Sequence, residues 1–503
     1  MKVADDRPPS QPSPMKEGRE GWGPAVGDFH LLRLGLVMEV LYLFYFTARF
    51  PLVRLYDTLP PVDFAKLTAY FWGDSVAYVA VLSALFALSA MAARRVMPAR
   101  GPLLPFILAG GAVFGLTLAF LYPILATDLF SYALRGRVAA LYGANPFAVP
   151  PSAFPDDPWV GLMGEWAVST SPYGPLWEGL SYLIARFFGE NFLGHLLGLK
   201  AAAFVSYLGS VALVWAVLGR LLPERRAAGT LFYAWNPFTL LEAVGNGHND
   251  IVMATLILLA VYLLVSGHSR GVVPVLIVAA LVKHIALLLV PPFALYLAWR
   301  RPSLRRWLFL AANAALAVML LFIFWLPVWP GWNQWAVREA TTGATYSPAA
   351  LLILLLRFVA GPASAFRMGR YAVFALFALT YLWALRRHPT SARQAIYAGF
   401  LGLMGYLVFV AMQYHPWYLL WVLPLAVSLG PVETITVAVF CWTSLSNTVI
   451  YDVLWPWLWD TLDATAIHLI GVPFTFLPPL LAALWYYRKN AETPRRVVLR
   501  KHG

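Results

Sequence analysis

Apolar runs long enough to cross a lipid bilayer fill most of this 503-residue chain. Because the hydrocarbon core is about 30 Å thick, a crossing helix needs about 20 apolar residues. Runs that approach or reach this length lie at 33–50, 74–93, 103–123, 194–219, 227–244, 250–267, 304–327, 366–385, 395–412, 432–450 and 466–487, with shorter ones at 271–283, 285–299 and 416–429. Hydrophobic residues make up 60% of the chain and the mean hydropathy is +0.67. We therefore predict an all-α polytopic membrane protein with about 14 transmembrane helices.

The two ends of the chain differ from this apolar body. Residues 1–28 are polar and proline-rich and lack the apolar core of a signal peptide, so we expect a disordered cytoplasmic tail. Residues 29–487 form the predicted transmembrane domain, and 488–503 form a basic cytoplasmic tail. The formal charge of +13 is carried by short Lys and Arg clusters between apolar runs, which argues against nucleic-acid binding. The single cysteine, Cys441, excludes an intrachain disulfide and a cysteine metal site.

Clusters of Lys and Arg in short loops predict which side of the membrane each loop occupies, because such loops are usually cytoplasmic. The clusters lie at 94–100, 220–226, 300–306, 386–393 and 488–501. Only one crossing, 194–219, can then separate Asp128 on the outside from the second cluster. We therefore interpret 175–188, within a first large outer loop at 124–193, as an amphipathic helix on the outer surface, and we interpret 347–360 in the same way. Both termini are predicted to be cytoplasmic.

Asp128 lies where the chain should leave the membrane after the third apolar run. A carboxylate at that place can perform proton chemistry on a substrate held at the lipid surface. We predict a short helix over 128–142, in which the spacing puts Asp128, either Ser131 or Tyr132, and Arg135 on one side. The carboxylate and the guanidinium would suit a hydroxyl acceptor and a phosphate donor. The alternative is a surface ion pair that caps and orients the helix.

Two polar segments on the predicted outer face allow either a metal or a simpler explanation. NGHND carries Asn246, His248, Asn249 and Asp250 shortly after the intramembrane Glu242. Without a third His or Cys at a ligand spacing, hydrogen bonding to sugar hydroxyls or a helix N-cap is favoured over a metal site. FPDDP offers paired carboxylates, but its prolines favour an ordinary turn.

Three basic residues interrupt later apolar runs. Lys283 and His284 lie between two short runs, where a buried lysine needs a counter-charge such as a phosphate. The alternatives are a lysine that extends to the surface and one that pairs with Glu242. His415 and Tyr414 lie in QYHPWY at the outer end of a span, where an interfacial aromatic belt also explains the aromatic residues.

Several motifs together carry a resemblance. TDLFSYALRGR, YGANPF, SPYGPLW, WNPFTLLEAVGNGHND, LVKH and YHPWYLLWVLP follow one another over roughly residues 100–430. In order and spacing they resemble the bacterial polyprenyl-phosphate-mannose-dependent mannosyltransferases of the GT-C superfamily. No nucleotide-binding loop is present in the sequence, so a nucleotide sugar is not supported as the direct donor.

The resemblance implies a GT-C fold with juxtamembrane helices in the outer loops, in a bacterial cytoplasmic membrane. It implies transfer of a sugar from a polyprenyl-phosphate donor to a hydroxyl of a glycolipid or polysaccharide on the outer face. The resemblance indicates mannose as the sugar and inversion at its anomeric carbon. Asp128 would be the catalytic base. Residues expected to bind the donor phosphate are Arg135, Arg137, Lys283, His284 and His415. Residues expected to bind sugar or acceptor are Tyr132, Tyr173, Glu242, Asn246, His248, Asn249, Asp250 and Tyr414.

The same implied mechanism requires no cofactor, and a monophosphate donor needs no metal to bridge a diphosphate. Two other classes remain as alternatives. A transporter or flippase for a lipid-linked saccharide would place its polar residues near the midplane and show internal repeats, which the sequence lacks. A purely structural subunit would not explain Asp128, His248 and Lys283.

Overall fold

The computed structural model describes residues 29–97, 103–331, 344–386, 389–458 and 460–499. The predicted tail at 1–28 and the last four residues of the predicted basic tail lie outside these ranges. The described residues form helices and turns, with two isolated β-bridges, Pro51 with Leu121 and Thr345 with Gln413. The predicted all-α class is therefore confirmed.

The principal helices follow the apolar runs of the sequence. In chain order they are α1 (Phe29–Thr47), α2 (Trp72–Val96), α3 (Leu104–Ala119), α4 (Asp128–Leu141), α5 (Pro175–Phe188), α6 (Phe192–Leu221), α7 (Arg226–Ala234), α8 (Pro237–Gly245), α9 (Asp250–Val265), α10 (Ser269–Ala280), α11 (His284–Trp299), α12 (Ser303–Val328), α13 (Pro348–Leu356), α14 (Pro362–Arg386), α15 (Ala392–Val410), α16 (Pro416–Leu429), α17 (Pro431–Trp457) and α18 (Ala464–Leu499).

Eight helices of the described chain are long and apolar enough to cross a membrane, namely α1, α2, α6, α12, α14, α15, α17 and α18. The bent pair α8 and α9 would make a ninth, and α3, α10, α11 and α16 are shorter apolar helices. The protein is therefore a multi-pass membrane protein. The number of about 14 crossings and the orientation of the chain in the membrane stay predictions.

The run at 227–244 does not form the single helix that its hydropathy predicts. Helix α7 ends at Ala234 and α8 begins at Pro237. Between them, the side chain of Asn236 caps α8 by accepting a hydrogen bond of 2.9 Å from the backbone N–H of Phe238. Proline lacks an N–H donor and suits the first turn of a helix, so the chain begins a new helix at this point.

A sharp bend separates α8 from α9. The two axes differ by 119°, and residues 246–249 connect them. Gly247 has φ +75°, a conformation that side chains disfavour. The loop is wholly enclosed, since Asn246, His248 and Asn249 are at most 1% exposed. The polar segment predicted between two spans is thus a buried loop between two half-helices.

The loop at 124–193, predicted to lie on the outer face, contains the two helices that the sequence predicts. Helix α4 covers all but the last residue of the predicted 128–142, and α5 covers the predicted 175–188. Helix α5 is amphipathic, because Trp177 is buried whereas Phe187 is 83% exposed. An exposed apolar face of this kind suits a helix lying against lipid.

Arg137 anchors the distal part of this loop. Its guanidinium is 2% exposed, lies 3.0 Å from the Asp157 carboxylate and donates a hydrogen bond of 2.9 Å to Glu190. Asp157 also accepts hydrogen bonds from the Tyr142 hydroxyl (2.8 Å) and from the Trp159 backbone N–H (2.9 Å). The last of these bonds is typical of an Asp-initiated turn, so this carboxylate of FPDDP serves the loop's own structure.

Helices α4 and α5 approach closely at Gly136. A Cβ atom there would lie 2.5 Å from the backbone oxygen of Ser181, whereas a Cβ at Gly179 would meet nothing within 4 Å. We expect Gly136→Ala to lower the melting temperature of the purified protein in detergent, because a backbone atom cannot move aside cheaply. Gly179→Ala is the matched control and should preserve or raise it. Equal melting temperatures for the two variants would contradict this account of the packing.

Candidate active site

Asp128 is the first residue of α4, and its carboxylate is 20% exposed. One oxygen, Oδ2, lies 3.5 Å from the Tyr132 hydroxyl and 3.4 Å from the Tyr173 hydroxyl, both of which donate to it. Tyr132 is on α4 itself, and Tyr173 precedes α5, so the packing of the two outer helices surrounds the carboxylate. The helix N-terminus favours the ionised form of a carboxylate in this position.

His248 lies between two carboxylates. Its Nδ1 is 3.6 Å from Oδ2 of Asp128, and its Nε2 is 3.2 Å from Oε2 of Glu242. Both His248 and Glu242 are completely buried. Asn246 donates a further hydrogen bond of 2.9 Å to Glu242. The α8–α9 loop therefore places the His248 imidazole beside Asp128. Glu242 contacts the other side of the same imidazole.

Lys283 forms an ion pair with Asp250. The ammonium nitrogen lies 2.8 Å from Oδ1 of Asp250, which also accepts a hydrogen bond from the Trp421 indole. The aromatic rings of Tyr418 and Trp421 lie 4.9 and 5.3 Å from the same nitrogen. Pairing with Glu242, the alternative drawn from the sequence, is wrong, because Glu242 faces His248 instead. Lys283 keeps 13% of its side chain exposed, whereas Asp250 is fully buried.

An aromatic stack joins this group to His415. The Trp417 ring lies parallel to His248 at a centroid distance of 4.2 Å and parallel to His415 at 4.4 Å. The indole is thus held between two imidazoles. This stack brings QYHPWY, a segment more than 160 residues further along the chain than His248, to the same place.

The charges around Asp128 decide its protonation. Burial alone would raise the pKa of Asp128, but the hydrogen bond and charge of His248, with smaller contributions from His415 and Lys283, lower this pKa to about 2. Burial lowers the pKa of His415 to about 4. At neutral pH, Asp128 is therefore an ionised carboxylate and His415 is a neutral imidazole.

The remaining predicted residues divide into two groups. Tyr132 donates to Asn249 at 3.3 Å, and the Arg135 guanidinium lies 5.7 Å from the Tyr173 ring, so these residues adjoin the Asp128 cluster. Tyr414 instead bonds Ser444 at 2.6 Å within the core. Arg137 is engaged by the loop carboxylates, and His284 is exposed at the start of α11. The structure does not bring these last three residues to Asp128, and their predicted roles stay predictions.

Sequence reasoning missed several residues of this region, namely Lys200, Trp417, Tyr418 and Trp421. Lys200 on α6 is a fully buried lysine inside an apolar run, which by itself is a signal of function in a membrane helix. Trp421 had no such signal, because a tryptophan near a membrane surface is ordinary. Among the residues that the structure describes, no group of three or more His, Cys, Asp or Glu side chains could hold a metal ion.

Comparison with known proteins now gives this cluster a context. Residues 58–300 match the family described as alpha-(1->6)-mannopyranosyltransferase, N-terminal domain. The chain is similar to alpha-(1->6)-mannopyranosyltransferases. The resemblance predicted from the sequence motifs is therefore confirmed. The matched region contains Asp128, His248 and Lys283, whereas the segment with His415 and Trp417 lies beyond it.

Individual relatives agree with the family match. Alpha-(1->6)-mannopyranosyltransferase A of Mycobacterium tuberculosis is 26% identical over 179 residues, which is 35% of this chain and 33% of that protein. The A and B enzymes of Corynebacterium glutamicum are 25% and 28% identical over 170 and 158 residues, or 33% and 29% of this chain. These matches cover 33% and 25% of the two Corynebacterium proteins. The similarity thus spans a third or less of the length of each relative.

We expect His248→Gln to raise the pKa of Asp128, because glutamine keeps hydrogen-bonding groups but carries no charge. Removing a neighbouring opposite charge shifts a carboxyl pKa by about 1–3 units. The protonated fraction at pH 5, and with it the rate of Asp128 modification by a water-soluble carbodiimide, should rise at least about tenfold. Peptide mass spectrometry measures that rate.

His195→Gln is the matched control, because His195 is equally buried but bonds the Gly189 carbonyl instead. It should leave the labelling of Asp128 unchanged. The pKa of Asp128 is below its ordinary value of 3.8, so ionised Asp128 stabilises the fold above that pH, and this contribution is lost as the pH falls towards about 2. Unchanged labelling in His248→Gln would show that His248 does not set the charge of Asp128.

Proposed function

We propose that this protein is a mannosyltransferase that transfers the sugar of a polyprenyl-phosphate donor to a hydroxyl acceptor, with inversion at the anomeric carbon. One observation carries the proposal: Asp128 is a partly exposed, ionised carboxylate that shares a cluster with the partly exposed cation Lys283. Both residues lie within 58–300, the region matched by the family described as alpha-(1->6)-mannopyranosyltransferase, N-terminal domain. The acceptor would be a glycolipid or a polysaccharide.

Asp128 is the group best suited to be the general base. Glu242 and Asp250 are also carboxylates of the cluster, but both are fully buried and engaged by His248 and Lys283. Asp128 alone among these three keeps an exposed fraction through which an acceptor hydroxyl can reach it. Its two tyrosine donors and His248 hold the carboxylate in one orientation, which supports proton abstraction during attack on the sugar.

Lys283 and Arg135 are suited to the phosphate. The phosphate of a lipid-linked sugar bears one negative charge, and it gains a second when the bond to the sugar breaks. Cations already in place favour that transition state most, because the charge develops there. Lys283 is held by Asp250 and by aromatic rings, so its position is set before the donor arrives. The neutral His415 can donate a hydrogen bond to the same phosphate.

The reaction would take place on the outer face of a bacterial cytoplasmic membrane, with both termini cytoplasmic. The basic loop clusters of the sequence support this orientation. The donor lipid would enter from the bilayer, and no cofactor is required by this chemistry. A transporter of lipid-linked saccharides is not favoured, because the family that matches residues 58–300 and the individual relatives are all named as transferases.

We expect Asp128→Asn to reduce sugar transfer by about 10²–10⁴-fold, because the amide cannot accept the proton of the acceptor hydroxyl. The measurement is transfer of labelled mannose from polyprenyl-phosphate-mannose to a membrane glycan extract in detergent. Donor binding should persist in the variant. Asp156→Asn changes an exposed carboxylate of the same loop and should retain wild-type transfer. Activity of Asp128→Asn within twofold of wild type would exclude Asp128 as the base.

We expect Lys283→Met to lower kcat by about 10²–10³-fold, because the cation acts on charge that develops during the reaction. Methionine preserves the length of the side chain without its charge. Comparison of kcat and KM for the donor separates this effect from a loss of donor binding alone. Lys66→Met removes an exposed lysine that pairs with Asp63 and should preserve both constants. A loss confined to KM would show that Lys283 binds the donor equally in the ground state and the transition state.

A further inference from the structure

Lys200 is a lysine of α6 whose side chain is completely buried. Its ammonium nitrogen donates to the backbone oxygens of Leu121 and Gly245, both at 2.5 Å. The oxygens of Val244 and Leu118 lie at 3.3 and 3.4 Å. In the described part of the chain, no carboxylate lies within ion-pair distance of this nitrogen. Four backbone carbonyls therefore surround one buried lysine nitrogen.

These carbonyls come from the ends of two helices. Leu118 and Leu121 are in the last turn of α3 and just after it, and Val244 and Gly245 are the last residues of α8. The last carbonyls of a helix have no partner within it and carry the negative end of the helix dipole. Broken helices in membrane transporters use such ends to coordinate a cation. Here the amino group of a lysine side chain occupies that place.

Each of the two helix ends leads directly to a residue of the candidate site. The chain runs from Leu121 to Asp128 in seven residues and from Gly245 to His248 in three. The Asn246 side chain provides a second link, since its oxygen accepts a hydrogen bond of 3.4 Å from the backbone N–H of Leu125. Lys200 therefore ties together the two segments that have to meet for His248 to contact Asp128.

The loop between these segments is also packed against Lys200. A Cβ atom at Gly247 would lie 3.4 Å from Cγ of Lys200 and 3.0 Å from a methyl group of Leu129, the neighbour of Asp128. Small changes at this junction would displace the loop that carries His248. The lysine itself touches neither Asp128 nor His248 in any contact that the structure shows, so its influence on them acts through the backbone.

We propose that Lys200 is a positioning residue, whose ammonium group joins the ends of α3 and α8 and thereby sets the distance between Asp128 and His248. The catalytic consequence rests on the proposed function, whereas the effect on Asp128 itself does not. The groups that face Asp128 are Tyr132, Tyr173, His248, His415 and Lys283. Of these, only His248 is on the loop that follows the α8 end held by Lys200.

The test is Lys200→Met, which has a similar length but no charge. We expect the rate of carbodiimide modification of Asp128 at pH 5 to rise at least about tenfold, as in His248→Gln, because the contact with His248 is loosened. Ser206→Ala is the matched control on α6, since Ser206 bonds only the Ala202 carbonyl of its own helix through its hydroxyl. It should leave this rate unchanged.

Sugar transfer supplies a separate measurement. In Lys200→Met, kcat should fall at least about tenfold while KM for the donor changes by less than about threefold, because Lys283 and Arg135 are untouched. The labelling experiment needs no substrate. Failure to detect any transfer by the wild type would therefore overturn the proposed function alone, whereas unchanged labelling in a folded Lys200→Met would overturn the role of Lys200.

Loss of the hydrogen bonds that the Lys200 amino group donates to these carbonyls can prevent Lys200→Met from folding. Gly247→Ala then decides the question, because the added methyl group presses the loop away from Leu129 and Lys200 without removing a charge. Increased labelling of Asp128 in this variant supports the proposal. Labelling equal to that of the wild type, in a protein with a single peak in size-exclusion chromatography, overturns it.

Discussion

The site depends on the interaction of His248 with two carboxylates. Charged groups among membrane helices are costly unless they are paired, and a carboxylate left alone there would take up a proton. His248 contacts Asp128 on one side and Glu242 on the other, so a single imidazole compensates both. The result is an ionised Asp128 that keeps a route to the exterior. Without this contact, the carboxylate at the start of α4 would be a poor base.

Three distant parts of the sequence meet to make that contact. The loop at 124–193 contributes Asp128 with Tyr173, and the bend between α8 and α9 contributes His248. The start of α16 contributes Trp417, with His415 just before that helix. The bend is possible because Gly247 adopts a left-handed conformation, and a separate break before α8 begins at Pro237. Lys200 contacts four backbone carbonyls at the ends of α3 and α8. The break between α8 and α9 therefore brings His248 to the site, and Lys200 holds the end of α8 in place.

Burial and ion pairing also distinguish Asp128 from the other carboxylates of the cluster. Asp250 and Glu242 are carboxylates like Asp128, but both are fully buried. Asp250 pairs with Lys283, and Glu242 contacts His248. Arg137 shows the same effect among the cations, because Asp157 and Glu190 occupy it within the outer loop. The exposed fractions of Asp128 and Lys283 distinguish these two residues from Glu242, Asp250 and Arg137, which are buried.

The sequence by itself determined the membrane class, the short helix that begins at Asp128, the amphipathic α5 and the residue types of the site. It could do so because hydropathy and helical spacing are local properties of the chain. Only the tertiary structure decided that Lys283 pairs with Asp250 rather than Glu242, that Tyr414 faces the core, and that Lys200 joins two helix ends. Those outcomes depend on which helices are neighbours and on how far each side chain is removed from water, and neither is set by any short segment of sequence.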